Sequence, residues 1–265
     1  MKNIKLITSD LDGTLLPYKA EQIDPEVFPL IEELINRGVK FFAASGRQYF
    51  DLKRFFEPVA DKIGYICDGG CITHIGEKLF DCVPMDQELA DEIIREVAKF
   101  PELDALASGT KSYYVLASNP KLIQHMREAN GSEVTGVQSL FEHPEPYVRV
   151  SALKNSKLLE NEIEYWKNKF GDRCTVQVGA PDIIDMISKN VNKSTALKKI
   201  LQYYDISPSE CVSFGDGDND REILSYVGHG VAMENAHVSV KQAAKYTTDS
   251  VKKTLQQILD GTFPA

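Results

Sequence analysis

The sequence predicts an α/β protein: a doubly wound, Rossmann-like parallel sheet into which a smaller α+β block is inserted. Two observations carry this expectation. At both ends of the 265-residue chain, short apolar runs stop at polar or glycine-rich turns and alternate with helix-patterned stretches, as buried parallel strands do. Between them, from about Pro84, the texture changes to strands and helices that need not belong to that sheet.

Residues 4–9 form the first apolar run, ending at Asp10. Asp24-Pro25 opens a helix, with the acid as N-cap and the proline at the first helical position. Val27, Leu30, Ile31, Leu34 and Ile35 then recur at helical spacing until Gly38 stops them. Residues 39–44 predict a second buried strand, ending at Ser45-Gly46-Arg47, and residues 63–67 a third, ending at Asp68-Gly69-Gly70. In such sheets ligands bind beyond the carboxyl ends of the strands, where all three turns lie.

The middle block predicts a helix over 86–100, strands over 103–107 and 113–117, and a helix begun by Asn119-Pro120. A strand over 147–153, a helix over 156–170 and strands over 175–178 and 183–187 follow. The first pattern resumes with a helix over 193–204, a strand over 211–214 ending in Gly215-Asp216-Gly217-Asp218-Asn219-Asp220, a further helix and a strand over 227–232. The expected division is residues 1–84 with 188–265 as one core, and 85–187 as an inserted domain.

Composition narrows the function. Hydrophobic residues make up 43% and charged residues 26%, which describes a chain able to build a core. The net charge of −9 and the lack of clustered Lys and Arg argue against a nucleic-acid partner. The first residues are too quickly charged for a signal peptide or membrane span, which predicts a cytoplasmic protein with no membrane partner. Cys67, Cys71, Cys82, Cys174 and Cys211 are odd in number and lack disulfide spacing, so they are expected as reduced thiols rather than a metal cluster. Oligomeric state is not legible.

The chemistry gathers at the strand ends. Asp10 and Asp12 flank one residue at a turn that Gly13 lets bend sharply, and Thr14 adds a hydroxyl. As a pair they are either solvated strand-end acids or oxygen ligands of a hard cation such as Mg²⁺. Asp216, at a later strand end, would be the third acid, with Asn219 and Asp220 supporting from behind. Asp216-x-Asp218-x-Asp220 imitates the start of a calcium loop, but Arg221 stands where that loop needs glycine and Val227 where it needs glutamate. Ser45 and Gly46 present a hydroxyl and a backbone N–H, in a plain turn or for phosphate oxygens. Arg47 would either aid anion binding or pair with a nearby acid. Lys193 follows Asn192, a suitable N-cap, and is either a surface lysine or a cation awaiting a phosphate at a helix N-terminus.

Taken together, Asp10-Leu11-Asp12-Gly13-Thr14-Leu15, Ser45-Gly46-Arg47, Lys193 and Gly215-Asp216-Gly217-Asp218-Asn219-Asp220 resemble the four motifs of the haloacid-dehalogenase-like hydrolases. The segment Gly230-Val231-Ala232-Met233-Glu234-Asn235-Ala236 and the later Val240-Lys241-Gln242-Ala243-Ala244 resemble their Cof-like phosphatase branch. About 30 residues separate Asp12 from Ser45 and nearly 150 separate Ser45 from Lys193, so the insertion resembles the cap that this family places between its second and third motifs.

The resemblance implies a Mg²⁺-dependent phosphatase acting on a small phosphorylated metabolite such as a sugar phosphate. Asp10 would be the nucleophile, forming a phospho-aspartate, and Asp12 the general acid and base. The cation would be bound by Asp10, the Asp12 backbone carbonyl and Asp216, with Asp220 behind them. Ser45, Gly46, Lys193 and Asn219 would hold the phosphoryl oxygens. Two positions depart from the family pattern: Gly69-Gly70 replaces a common Asn-Gly pair, and Ser194 replaces a glycine.

Two other readings stay open. A phosphomannomutase-like phosphotransferase would use the same aspartyl chemistry, and a non-catalytic sensor would only bind metal or phosphate. Arg149, Lys111, Tyr113 and Tyr147 lie on expected strands of the inserted block, either facing a substrate or lining solvated strand faces.

Overall fold

The computed structural model describes residues 4–129 and 131–263. They fall into two compact units. The first comprises the described parts of Met1–Arg47, Leu52–Phe80 and Asn192–Ala265, and the second Gln48–Asp51 with Asp81–Val191.

In chain order the first stretch contains β1 (Leu6–Asp10), α1 (Val27–Asn36), β2 (Lys40–Ala44), α2 (Tyr49–Arg54), β3 (Gly64–Cys67), β4 (Ile72–Ile75) and β5 (Lys78–Cys82). All five residues of β1 are buried, as a central parallel strand requires. Helix α1 starts two residues later than Asp24-Pro25 suggests. The Asp24 side chain accepts from the Glu26 N–H and its carbonyl from Val27, so the acid closes a turn ahead of the helix instead of capping it. Gly38, at φ 87°, takes the left-handed position that ends α1.

The second unit contains α3 (Gln87–Val97), β6 (Leu103–Ser108), β7 (Tyr113–Leu116), α4 (Pro120–Ala129), β8 (Val134–Val137), β9 (Arg149–Lys154), α5 (Glu160–Phe170), β10 (Cys174–Ala180) and β11 (Ile183–Ser188). Strand β8 is additional to the expected elements. Strand β9 begins after Tyr147, whose carbonyl is taken by the Met85 N–H, and α5 begins four residues after position 156. The six strands order as β10-β11-β9-β6-β7-β8, antiparallel except for the β7–β8 pair. Ile93, Val97, Trp166 and Phe170 belong to one buried cluster with Val150, Ile184 and Met186 of the sheet.

The chain then supplies α6 (Lys193–Tyr204), β12 (Cys211–Gly215), α7 (Arg221–Tyr226), β13 (His229–Met233), α8 (Val238–Ala243), β14 (Tyr246–Thr248) and α9 (Val251–Asp260). These return to the first sheet, whose order is β14-β13-β12-β1-β2-β3-β4-β5. Strands β1, β2, β3, β12, β13 and β14 are parallel, and β4 turns back antiparallel on β3. Ala196, Leu197, Ile200 and Leu201 of α6 pack in one cluster with Leu6, Phe42 and Ile66 of the sheet. Strands β1 and β12 are neighbours in register, so the acids at their ends come together whatever the intervening sequence does.

None of the five cysteines, all among the described residues, is in a disulfide, and Cys82 alone of them is not fully buried. No described helix is long and apolar enough to cross a membrane.

Candidate active site

The carboxyl ends of β1 and β12 and the start of α6 build one buried polar cluster. Asp10 ends β1. Lys193 is the first residue of α6, whose N-cap Asn192 accepts from the Thr195 N–H while the Thr195 hydroxyl accepts from the Asn192 N–H, which fixes the helix start. Lys193 Nζ donates to Asp10 Oδ1 at 2.6 Å and to Asp220 Oδ1 at 2.7 Å. Only 1% of this lysine is exposed, so the surface alternative is excluded and its partners are acids already in the protein.

Asp220 is fully engaged. Its Oδ1 takes the Lys193 bond, and its Oδ2 accepts the backbone N–H groups of Asp216 and Gly217 at 3.1 and 3.0 Å. Asp216 is held by Thr14, whose hydroxyl donates to Oδ1 at 2.9 Å, and by Tyr18, whose hydroxyl donates to Oδ2 at 2.8 Å. Asn235 Nδ2 approaches the same Oδ2 at 3.5 Å while donating to the Gly13 carbonyl at 3.0 Å.

One oxygen from each of Asp10, Asp216 and Asp220 lies within 4.8 Å of the others. Three buried acids around one lysine leave the charges unbalanced. Burial, reinforced by Asp220 and Asp216, drives the Asp10 carboxyl well above the usual range against the opposing pull of Lys193. Burial likewise raises Asp216, opposed by the Tyr18 and Thr14 hydroxyls. Burial alone would depress the Lys193 ammonium, but Asp10 and Asp220 outweigh it and hold its pKa above that of an ordinary lysine. The hydrogen bond to Asp216, with burial, pushes the Tyr18 hydroxyl up to about 12, which keeps it a donor at neutral pH.

Asp12 diverges from Asp10. Its side chain is exposed and gripped by Arg47, whose Nε donates to Oδ2 at 2.9 Å and whose Nη2 donates to Oδ1 at 2.7 Å. Of the two readings of Arg47, pairing with a nearby acid is the one present in this structure. Ser45 is buried beyond β2, its hydroxyl accepting from the Arg47 N–H at 3.1 Å, and Gly46 follows it in the same turn. Asn219 lies exposed in the single 3-10 turn Asp218–Asp220.

The turn after β3 reaches the same region. Gly69 has φ 67° and Gly70 φ 113°. A Cβ on Gly70 would lie 2.3 Å from the Asn192 carbonyl oxygen, so this glycine lets the turn press against the start of α6. The φ of Gly69 lies in the left-handed region, which asparagine also tolerates.

In the second unit, Arg149 is buried and pairs with Asp185 at 3.5 Å, with Tyr113 Oη 3.4 Å away. The Tyr147 hydroxyl donates to the Leu140 carbonyl at 2.8 Å. These residues do not line solvated strand faces, while Lys111 is exposed. Sequence reasoning passed over Tyr18, which belongs to no motif. Asn235 was visible only as part of the Gly230–Ala236 segment.

A family model described as haloacid dehalogenase-like hydrolase matches residues 7–254. The chain is 27% identical to the 5-amino-6-(5-phospho-D-ribitylamino)uracil phosphatase YbjI of Escherichia coli, over 94% of this chain and 92% of that protein. It is 26% identical to phosphatase YwpJ of Bacillus subtilis, over 92% and 94% respectively. A solved structure from Eubacterium rectale matches with TM-score 0.85 at 27% identity, covering 96% of this chain and 99% of that one. SMU.1108c from Streptococcus mutans matches with TM-score 0.84 at 25% identity, covering 97% and 99%.

Proposed function

This chain belongs to the haloacid dehalogenase-like hydrolase family, and from that premise we propose that it hydrolyses a small phosphate monoester, a sugar phosphate by preference, through a phospho-aspartate on Asp10. It is a phosphoric monoester hydrolase, as its named phosphatase relatives are. The observation that carries the finer reading is the buried set Asp10, Lys193, Asp216 and Asp220.

The donor set fits a hard divalent cation. It offers carboxylate oxygens, holds three acids against one lysine, and buries Asp10 and Asp216 so that the pKa of each is raised, a crowding that a cation would relieve. Asp220 is held by the buried Lys193 ammonium and two backbone N–H groups, whereas Asp216 is held by two hydroxyls and a long amide contact, so Asp10 and Asp216, with the Asp12 carbonyl, are the ligands we assign and Asp220 orients them. Bound there, Mg²⁺ would neutralise the acids and polarise a phosphoryl oxygen.

The chain's own groups do the rest. Lys193 orients Asp10, whose carboxylate oxygen forms a bond to phosphorus as the bond from phosphorus to the ester oxygen breaks. Asp12, protonated and outside the Arg47 fork, gives its proton to the leaving oxygen, and the carboxylate this leaves is the form that Arg47 aims. That carboxylate then takes a proton from the water that attacks phosphorus and releases Asp10. Ser45, Gly46, Lys193 and Asn219 bind the phosphoryl oxygens, which is mainly electrostatic stabilisation of the transferring group. Residues 85–187 are assigned as the cap that chooses the substrate. The preference for a sugar phosphate is supported by the phosphoribityl group in the name of the Escherichia coli relative.

The test is a panel of sugar phosphates, other phosphate monoesters and p-nitrophenyl phosphate, with Mg²⁺ or with EDTA, read as inorganic phosphate released. Mg²⁺-dependent release with sugar phosphates favoured is the expected result. Isomerised sugar phosphate without free phosphate would instead establish a phosphotransferase.

A further inference from the structure

Tyr18 is a 70% exposed tyrosine whose hydroxyl nonetheless reaches a carboxylate that is only 7% exposed. That reach is built in. Gly13 sits between them at φ 83°, and a Cβ on it would lie 2.2 Å from Asp216 Oδ2 and 2.8 Å from Tyr18 Cζ. Any side chain at position 13 would thus collide with both the phenol head and the acid it touches.

The two oxygens of Asp216 are held differently. Oδ1 accepts from Thr14, a buried residue of the turn itself. Oδ2 accepts its short bond from Tyr18, which stands mostly in solvent, and only a long 3.5 Å contact from Asn235. A hydroxyl on an exposed side chain loses little by returning to water, whereas the Thr14 hydroxyl cannot leave without moving the turn. Oδ2 is therefore the exchangeable oxygen. Tyr18 also partly offsets the crowding of Asp216 against Asp10 and Asp220, which is the task a cation would perform better.

We propose that Tyr18 is a positioning residue of the cation site, a hydroxyl latch that occupies Asp216 Oδ2 until a divalent cation takes that oxygen and the side chain swings into solvent. This rests on the reading of Asp10 and Asp216 as cation ligands. The phenol and the cation compete, so the latch lowers cation affinity and keeps the buried acids compensated when no cation is bound.

Calorimetric titration of wild type, Tyr18→Phe and Asp216→Asn with MgCl₂, without substrate, tests it. Tyr18→Phe is expected to bind Mg²⁺ roughly three- to tenfold tighter than wild type, the scale of one ordinary net hydrogen bond made by a side chain that water can also serve. Asp216→Asn is expected to lose binding. Mg²⁺ should also produce a tyrosine ultraviolet difference spectrum in wild type that is missing from Tyr18→Phe. A merely structural tyrosine would leave the affinity unchanged or weaken it. Either result, with Mg²⁺ still binding wild type and lost in Asp216→Asn, overturns the latch and spares the cation site. Failure of wild type to bind Mg²⁺ overturns the cation site and the latch with it.

Discussion

Lys193 Nζ lies 2.6 Å from Asp10 Oδ1 in a pocket that leaves the lysine 1% exposed, and its second bond goes to Asp220 at 2.7 Å. One ammonium thus ties the end of β1, the start of α6 and the turn after β12. Asp10→Asn keeps an acceptor for Lys193 and leaves Asp220 as its counter-ion, so the variant should fold while turnover of p-nitrophenyl phosphate falls by at least about 10³-fold. Lys193→Met strands two buried acids and should cost about 3–5 kcal/mol in denaturant unfolding, besides its loss of activity. A fully active Asp10→Asn enzyme would remove the nucleophile from the proposal.

Arg47 grips both oxygens of Asp12 with a two-pronged guanidinium. Lysine cannot reproduce that fork. Arg47→Lys, which restores charge without orientation, should therefore lower kcat about ten- to a hundredfold with a smaller change in KM. Both atoms lie at the surface, so the melting temperature should barely move. Wild-type kcat in Arg47→Lys would show that the pairing is incidental to proton transfer.

Where local pattern decided the structure, the sequence was readable. The apolar run before Asp10 is a fully buried strand, and α6 begins and ends at the residues that the Asn192 cap and its apolar face suggest. What escaped was decided by partners far along the chain. Nothing near Lys193 marks it as buried, because its acids lie 183 and 27 positions away. Tyr18 looks like a loop aromatic until Asp216, 198 positions on, meets its hydroxyl. The β4–β5 hairpin was missed for a different reason. Its second strand sits at the sheet edge with Lys78 and Leu79 exposed, so it shows little of the apolar signature that buried strands carry.

Gly70 and Gly38 both have positive φ, but only Gly70 faces an obstacle. A Cβ there would meet the Asn192 carbonyl oxygen at 2.3 Å, whereas at Gly38 nothing lies within 4 Å. Gly38→Ala should therefore cost only the conformational term, roughly 1–2 kcal/mol. Gly70→Ala adds a collision with rigid backbone at the start of α6, so it should cost about 2–4 kcal/mol and also lower kcat by displacing Lys193. Equal stability losses, with activity intact in both, would show that the turn after β3 does not hold the helix start in place.

His74, on β4, gives a pH dependence whose sign can be worked out. Burial, with a contribution from Lys53, drives its imidazole from 6.5 down to about 4. In the unfolded chain the ring takes up a proton near its ordinary value, while the folded protein refuses one until about pH 4. The stability conferred by the neutral ring is thus complete above about pH 6.5 and is lost progressively as pH falls toward 4. The raised carboxyls of Asp10 and Asp216 act in the opposite sense, since protonating them relieves buried charge. A single wild-type profile would therefore blend the two effects. The comparison that isolates the histidine is thermal unfolding of wild type and His74→Gln in the absence of Mg²⁺, from above neutrality down to about pH 4.5. Both proteins keep the same acids, so the wild type should lose stability more steeply on acidification and the difference between them should shrink as pH falls. Parallel profiles would mean that the ring titrates alike in both states and that its burial confers no pH sensitivity.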